Sequence, residues 1–254
     1  MGNIVKVREV KIGEGVPKIC VSIIGSTVDL LKEEALMLTS LPLDVIEWRV
    51  DFYEEVENTA SVMKTLQAIR SIIGNIPLIF TFRSAKEGGE KELPASEYFA
   101  LNKAVCETNL ADIIDVELFN EEEDIKEIVE FAHANNVAVI ISNHDFGKTP
   151  SKEEIISRLR KAQELGGDIP KIALMPNSAA DVITVLDATN TMKEQYADRP
   201  IITMSMAGKG AVSRMAGEVF GSALTFAAAK KASAPGQIAV GELKRILDVV
   251  HSGL

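Results

Sequence analysis

One unit recurs along this chain: a short run of β-branched and apolar residues, a polar loop, and a stretch whose apolar residues return with helical spacing. The runs cover residues 18–24, 45–52, 78–83, 113–118, 137–144, 171–175, 201–206 and 223–228. The helical stretches cover 28–38, 60–73, 95–108, 122–135, 152–165, 179–192, 212–220 and 238–251, with Pro150-Ser151 as a start signal and Gly166-Gly167 as a stop for the fifth. Eight units at roughly thirty residues each fill the ~250 residues of an α/β (β/α)₈, or TIM, barrel. An open doubly wound sheet is the competing topology, but the first run lacks the Gly-rich turn with which a dinucleotide fold follows its first strand. Ahead of the repeats, Val5, Val7, Val10 and Ile12 alternate and Gly13 and Gly15 follow, which predicts a short N-terminal β-hairpin. No long linker or low-complexity segment interrupts the pattern, so residues 1–254 are expected to form a single barrel domain.

Composition narrows the function. A formal charge of -10 disfavours nonspecific contact with nucleic acid or an anionic membrane surface, so an anionic substrate must be met by a local group of arginines. No apolar run approaches the roughly 18 residues of a membrane span, and the N-terminus lacks the apolar stretch of a signal peptide, so a cytoplasmic location is expected. Cys20 and Cys106 form neither a disulfide framework nor a zinc-ligand spacing and read as small buried hydrophobes.

Reacting groups of such barrels sit at the C-terminal ends of the strands. The sixth run, Ile169-Pro170-Lys171-Ile172-Ala173-Leu174-Met175, carries one lysine, and strand alternation puts Lys171, Ala173 and Met175 on one face. Lysines are rarely buried, and one at a strand mouth can snorkel to water. Held in a site, desolvation and neighbouring cations favour the neutral amine that attacks a ketone. The second run ends Glu47-Trp48-Arg49-Val50-Asp51, with Glu47, Arg49 and Asp51 on one face, as a salt-bridge layer or as ligand contacts. The third ends Thr81-Phe82-Arg83, with Glu87-Gly88-Gly89 in the loop, and the fifth ends Ser142-Asn143-His144-Asp145. His133 and His251 lie in polar helical stretches, which leaves His144 as the acid-base candidate. A metal site is not expected, because His144 and Asp145 face opposite ways and no second histidine ends a strand. After the seventh run, Ala207-Gly208-Lys209-Gly210-Ala211 opens a helix carrying Arg214, a place for a phosphate or a carboxylate. After the eighth, which contains Phe226, Ala232-Ser233-Ala234-Pro235-Gly236-Gln237 suits a loop that closes over a site.

A lysine, a histidine, carboxylates and at least three arginines at one mouth suit Schiff-base chemistry on an oxo-acid. A Schiff-base aldolase acting on a phosphorylated oxo-acid, with its phosphate at Gly208 to Gly210, and a barrel that binds a metabolite without turnover are the alternatives. The motifs around Glu47, Arg83, Glu87, His144 and Lys171, together with Met204-Ser205-Met206 and Ser233 to Gln237, closely resemble type I 3-dehydroquinate dehydratases. The resemblance runs from Gly13 to the final helix. It implies a homodimeric enzyme of the shikimate pathway that converts 3-dehydroquinate to 3-dehydroshikimate and water without metal or cofactor. It implies Lys171 as the imine-forming amine, His144 as the base that takes the C2 proton and later protonates the leaving hydroxyl, and Glu87 as the carboxylate that orients His144. By the same resemblance Arg214 clamps the substrate carboxylate with Ser233 and Gln237, which reads the anion as carboxylate. Glu47, Arg49 and Arg83 then bind hydroxyls or hold the site together, and Ser22, Met204, Met206 and Phe226 line the pocket.

Overall fold

The computed structural model describes residues 4–229 and 233–254. Strands β1 (Val5–Val7) and β2 (Val10–Ile12) form the expected antiparallel hairpin. Eight parallel strands follow: β3 (Lys18–Ile23), β4 (Val45–Arg49), β5 (Leu78–Thr81), β6 (Ile113–Glu117), β7 (Ala138–Asp145), β8 (Ile169–Leu174), β9 (Ile202–Ser205) and β10 (Leu224–Ala227). The sheet order is β10-β3-β4-β5-β6-β7-β8-β9. It closes into a (β/α)₈ barrel through a parallel bridge between Ile201 and Ser222 rather than a full ladder.

Helices α1 (Val28–Leu38), α2 (Thr59–Ile73), α3 (Ala95–Thr108), α4 (Glu122–Ala134), α5 (Lys152–Glu164) and α6 (Ala179–Gln195) alternate with the strands. Side chains the sequence supplies cap several of them: Thr27, Asn58 and Ser151 each accept a backbone N–H of the first turn, and Ser178 with Asp181 makes a capping box. Three expectations are corrected. The seventh helical stretch is two short helices, α7 (Ala211–Met215) and α8 (Gly217–Phe220), before α9 (Val240–Ser252) closes the chain. The break falls at Ala216, and Gly217 after it packs so closely that a Cβ there would lie 2.9 Å from the Ser222 carbonyl oxygen. The second strand ends at Arg49, and Asp51 lies in a 3₁₀ turn, Val50–Phe52, folded back against Arg49 instead of continuing the strand face. The third ends at Thr81, two residues before Arg83.

Strand alternation builds the interior in layers. Cys20, Val45, Ile79, Ile113, Ile140, Ile169, Ile202 and Leu224, one from each of the eight strands, pack with Val7 and Ile12 of the hairpin, which plugs that end of the barrel. Cys20 and Cys106 are both buried and free. No helix among the described residues is long and apolar enough to cross a membrane.

Candidate active site

The pleat repeats every two residues, so the positions two beyond the apolar layer also face inward. There the chemistry changes abruptly, to Ser22, Glu47, Thr81, Asp115, Ser142 and Lys171 beside Met204 and Phe226. Two residues further come Arg49, Arg83, Glu117, His144, Ala173 and Met206. An apolar floor thus carries two layers rich in ionisable groups, and buried charges must find partners inside.

Lys171, 5 % exposed, reaches Asp115 Oδ2 with its Nζ at 3.0 Å, has Glu47 Oε1 at 3.9 Å, and lies 4.7 Å from the centre of the Phe226 ring. The sequence led us to expect cations next to the amine; its nearest charged neighbours are carboxylates. Arg83 ties the set together, donating to Asp115 Oδ1 at 2.7 Å, Glu117 Oε1 at 2.9 Å and Ser142 Oγ at 3.0 Å. Burial would weaken the Arg83 charge, but Asp115 and Glu117 hold its pKa well above the ordinary value. Burial likewise favours neutral Asp115, yet Arg83 and Lys171 hold its carboxyl far below the usual carboxylate range. Glu47 accepts from Thr81 Oγ1 at 2.9 Å and Ser22 Oγ at 2.5 Å. Arg49 is held through two 2.8 Å bonds to Asp51, whose Oδ2 also accepts the Glu90 N–H at 3.1 Å.

His144 meets Glu87 twice. Glu87 Oε2 lies 2.9 Å from His144 Nδ1 and accepts the His144 backbone N–H at 2.9 Å, while Asn143 Nδ2 donates to Oε1 at 3.1 Å. Burial, then Arg83 and Lys171, pull the imidazole well below its usual pKa; burial pushes Glu87 up to about 7 against the pull of Arg83. A neutral imidazole with Nδ1–H given to Glu87 leaves Nε2 as a free base. His133 and His251 are exposed and paired with Asp168 and Glu218, as expected of helical surface residues.

Arg214, on α7, is 1 % exposed and has no carboxylate partner among the described residues. Its Nη atoms contact Met204 Sδ at 3.6 Å and the carbonyls of Phe226 and Pro235 at 3.4 and 3.3 Å, and Nε has no partner. Desolvation brings its pKa down to about 10. A buried guanidinium with only neutral neighbours is a receptor for an anion. Beside it the Ser233 to Gln237 loop folds on itself: Gln237 accepts the Ser233 N–H at 3.0 Å and donates to Ser233 Oγ at 2.9 Å, and Ser233 Oγ donates to Ser22 Oγ at 3.0 Å. Ala232, at the start of this predicted closing loop, lies outside the described residues. The Gly208 to Gly210 turn does not line the cavity, and Lys209 points to the Asn177 carbonyl at 3.0 Å, whereas the Arg214 side chain does face the cavity.

Glu47, Arg49, Arg83, Glu87, His144, Lys171, Met204, Met206, Arg214, Phe226, Ser233 and Gln237 all line one cavity of about 160 Å³. Ser22 does not line it and acts on it through Glu47 and Ser233. A larger pocket of about 500 Å³ opens outside the barrel beyond Glu87 and His144, but Lys171 does not reach it. Sequence reasoning missed Asp115 and Glu117, inward-facing carboxylates in a buried strand, and Asn143, whose side chain holds Glu87. Counting by twos from Ile113 would have found the first two. Among the described residues no group of three or more His, Cys, Asp and Glu is placed to hold a metal ion.

A family model described as type I 3-dehydroquinase matches residues 19–253. The chain is 63% identical over 254 residues to a 3-dehydroquinate dehydratase of Bacillus licheniformis, with 100% of both chains covered. It is 60% identical over 249 residues to one of Listeria monocytogenes, with 98% of each covered. Among solved structures it is similar to a type I 3-dehydroquinate dehydratase of Clostridium difficile with covalently modified comenic acid, at a TM-score of 0.98, 56% identity and 100% coverage of both chains.

Proposed function

The chain belongs to the type I 3-dehydroquinase family and is a hydro-lyase that dehydrates 3-dehydroquinate through a Schiff base; on that premise we propose that Lys171 forms the imine and His144 moves the protons. The observation that carries the assignment is that Lys171, His144 and the unpaired Arg214 open on the same cavity.

Arg214 takes the substrate carboxylate, and Lys171, passing its ammonium proton to His144 Nε2, attacks the C3 ketone as the free amine. The carbinolamine loses water with His144 as proton donor, leaving an iminium. That cation withdraws electrons from C2–H far better than the ketone does, so an imidazole suffices as base. His144 Nε2 takes the C2 proton, the electron pair forms an enamine, and its return expels the C1 hydroxyl, which His144 protonates to water. Hydrolysis of the conjugated iminium releases 3-dehydroshikimate and restores Lys171. Glu87 holds Nδ1 throughout and offsets the charge that His144 carries between the two transfers.

The test joins turnover to labelling. Wild-type protein should generate the ultraviolet absorbance of a conjugated enone from 3-dehydroquinate, and borohydride should fix one ligand mass on Lys171. Label on another lysine, or turnover by Lys171→Ala, would sink the assignment. Residues 1–254 act on this reading as one domain in a cytoplasmic homodimer of the shikimate pathway, without a cofactor; sedimentation of the purified protein checks the dimer.

A further inference from the structure

We propose that Arg158 is a positioning residue for this reaction, acting on the His144–Glu87 pair through the side-chain amide of Asn143. The inference rests on the roles given above to His144 and Glu87. Strand alternation turns Ser142 and His144 inward and Asn143 outward, toward α5. There Arg158 Nη1 donates to Asn143 Oδ1 at 2.9 Å, and Asn143 Nδ2 donates to Glu87 Oε1 at 3.1 Å. Asn143 is 2 % exposed, so water does not compete for its amide. Arg158 is itself fixed by Glu154 at 2.8 Å and stacks over the Phe119 ring at 5.3 Å.

A guanidinium can only donate, so its contact decides which end of the amide faces Glu87. With the carbonyl held by Arg158, the NH₂ must face the carboxylate. It is the only hydrogen-bond donor to Glu87 Oε1 among the described residues. Without Arg158 the amide can turn its carbonyl toward Glu87, which favours the protonated acid and removes the acceptor for His144 Nδ1–H. The other charges facing the pair are Arg83, Glu117, Lys171, Asp115 and Arg49, all on the barrel side. Neither Arg158 nor Asn143 lines the 160 Å³ cavity, so neither touches substrate there. Both line the 500 Å³ pocket that shares Glu87 and His144, and Arg158 Nη1 also lies 4.0 Å from Asp145 Oδ2, so the Asn143→Ala background is what separates a route through the amide from these contacts.

The experiment compares Arg158→Met, Arg158→Lys, Asn143→Ala and the double variants in kcat, KM and the pH profile. Arg158→Met should lower kcat by ~10-fold, well short of the ~10²–10⁴ of a general base. KM should stay within about threefold, and the acidic limb should move up by roughly half a pH unit or more. Arg158→Lys should restore most of both, and borohydride labelling of Lys171 should persist throughout. In the Asn143→Ala background the residue at 158 should no longer matter. An unchanged limb with near-normal kcat, or a loss of equal size in both backgrounds, overturns the proposal. Should Arg158→Met be too unstable to assay, Arg158→Ala in the two backgrounds decides the same question. Failure of the parent reading looks different: wild-type protein would not dehydrate 3-dehydroquinate, or His144→Ala would keep its kcat.

Discussion

Lys171 on β8 and Asp115 on β6 meet with β7 between them, Nζ to Oδ2 at 3.0 Å, and the other oxygen of the same carboxylate holds Arg83 at 2.7 Å. One buried carboxylate thus serves two cations, fixing where the amine stands before a substrate arrives.

Asp115→Asn tests that dependence. It keeps the shape and removes the charge, so Arg83 and Lys171 lose the anion they share. Breaking a buried pair from one side costs roughly 3–5 kcal/mol. Denaturant unfolding should show a loss of that order, and the lysine should be trapped more slowly by borohydride. Full stability in the variant would mean that Glu117 and Glu47 compensate the cations alone.

His144→Ala should separate imine formation from proton transfer. Lys171 remains able to form the adduct, while kcat should fall by at least the ~10²–10⁴ typical of an acid-base group, since the residue serves several steps. Mass spectrometry after borohydride, alongside steady-state rates, reads both. Near-normal kcat would remove His144 from the mechanism.

The His144–Glu87 pair should set the acidic limb of kcat/KM. Glu87 is pushed up to about 7 by burial and His144 is pulled well below its usual value, so the pair gains its first proton near neutrality. That proton blocks either the base or its acceptor, so activity should rise with pH through an apparent value near 7. Glu87→Gln should move the limb to lower pH, because His144 then holds a proton less tightly.

Stability should respond in the opposite sense. From the ordinary carboxyl value of 4.5 to about 7, the folded state keeps a proton on Glu87 that the unfolded chain has released, so this group's contribution falls as pH rises through that window. Glu87→Gln should therefore gain on the wild type across that range by on the order of 2 kcal/mol. A gap between the two unfolding free energies that does not change with pH would show that Glu87 is not raised.

Arg214 should matter for ligand rather than for fold. Replacing a buried cation that has no anionic partner among the described residues by Arg214→Met should leave the melting temperature unchanged or higher. Binding of substrate or product should weaken by roughly 2–5 kcal/mol. Gln237→Ala should cost less, on the order of 1 kcal/mol. If the loop and Arg214 act through one closed state, a double-mutant cycle on Kd should show non-additivity. Strict additivity would make the loop an ordinary connection.

The sequence by itself determined the barrel, because strand and helix periods are local: Cys20, Val45 and the six apolar residues that match them sit at fixed positions in runs that only a parallel, helix-covered sheet buries. It also placed Lys171 inside a buried strand and His144 at a strand end, and the motif set picked out Glu87 and Arg214. Only the tertiary structure decided which charges are neighbours. Asp115 and Lys171 are 56 positions apart and Arg83 and Asp115 are 32 apart, and no period within one strand says which opposing carboxylate an amine will reach. The close approach of Gly217 to Ser222, just after the break in the seventh helical stretch, was hidden for the same reason, since Ser222 meets it only after the chain has turned back. So was the outward reach of Asn143 to Arg158, which joins a strand to the helix covering it. Periodicity fixes the direction of a side chain; its partners, and through them its charge, come from the closure of the barrel.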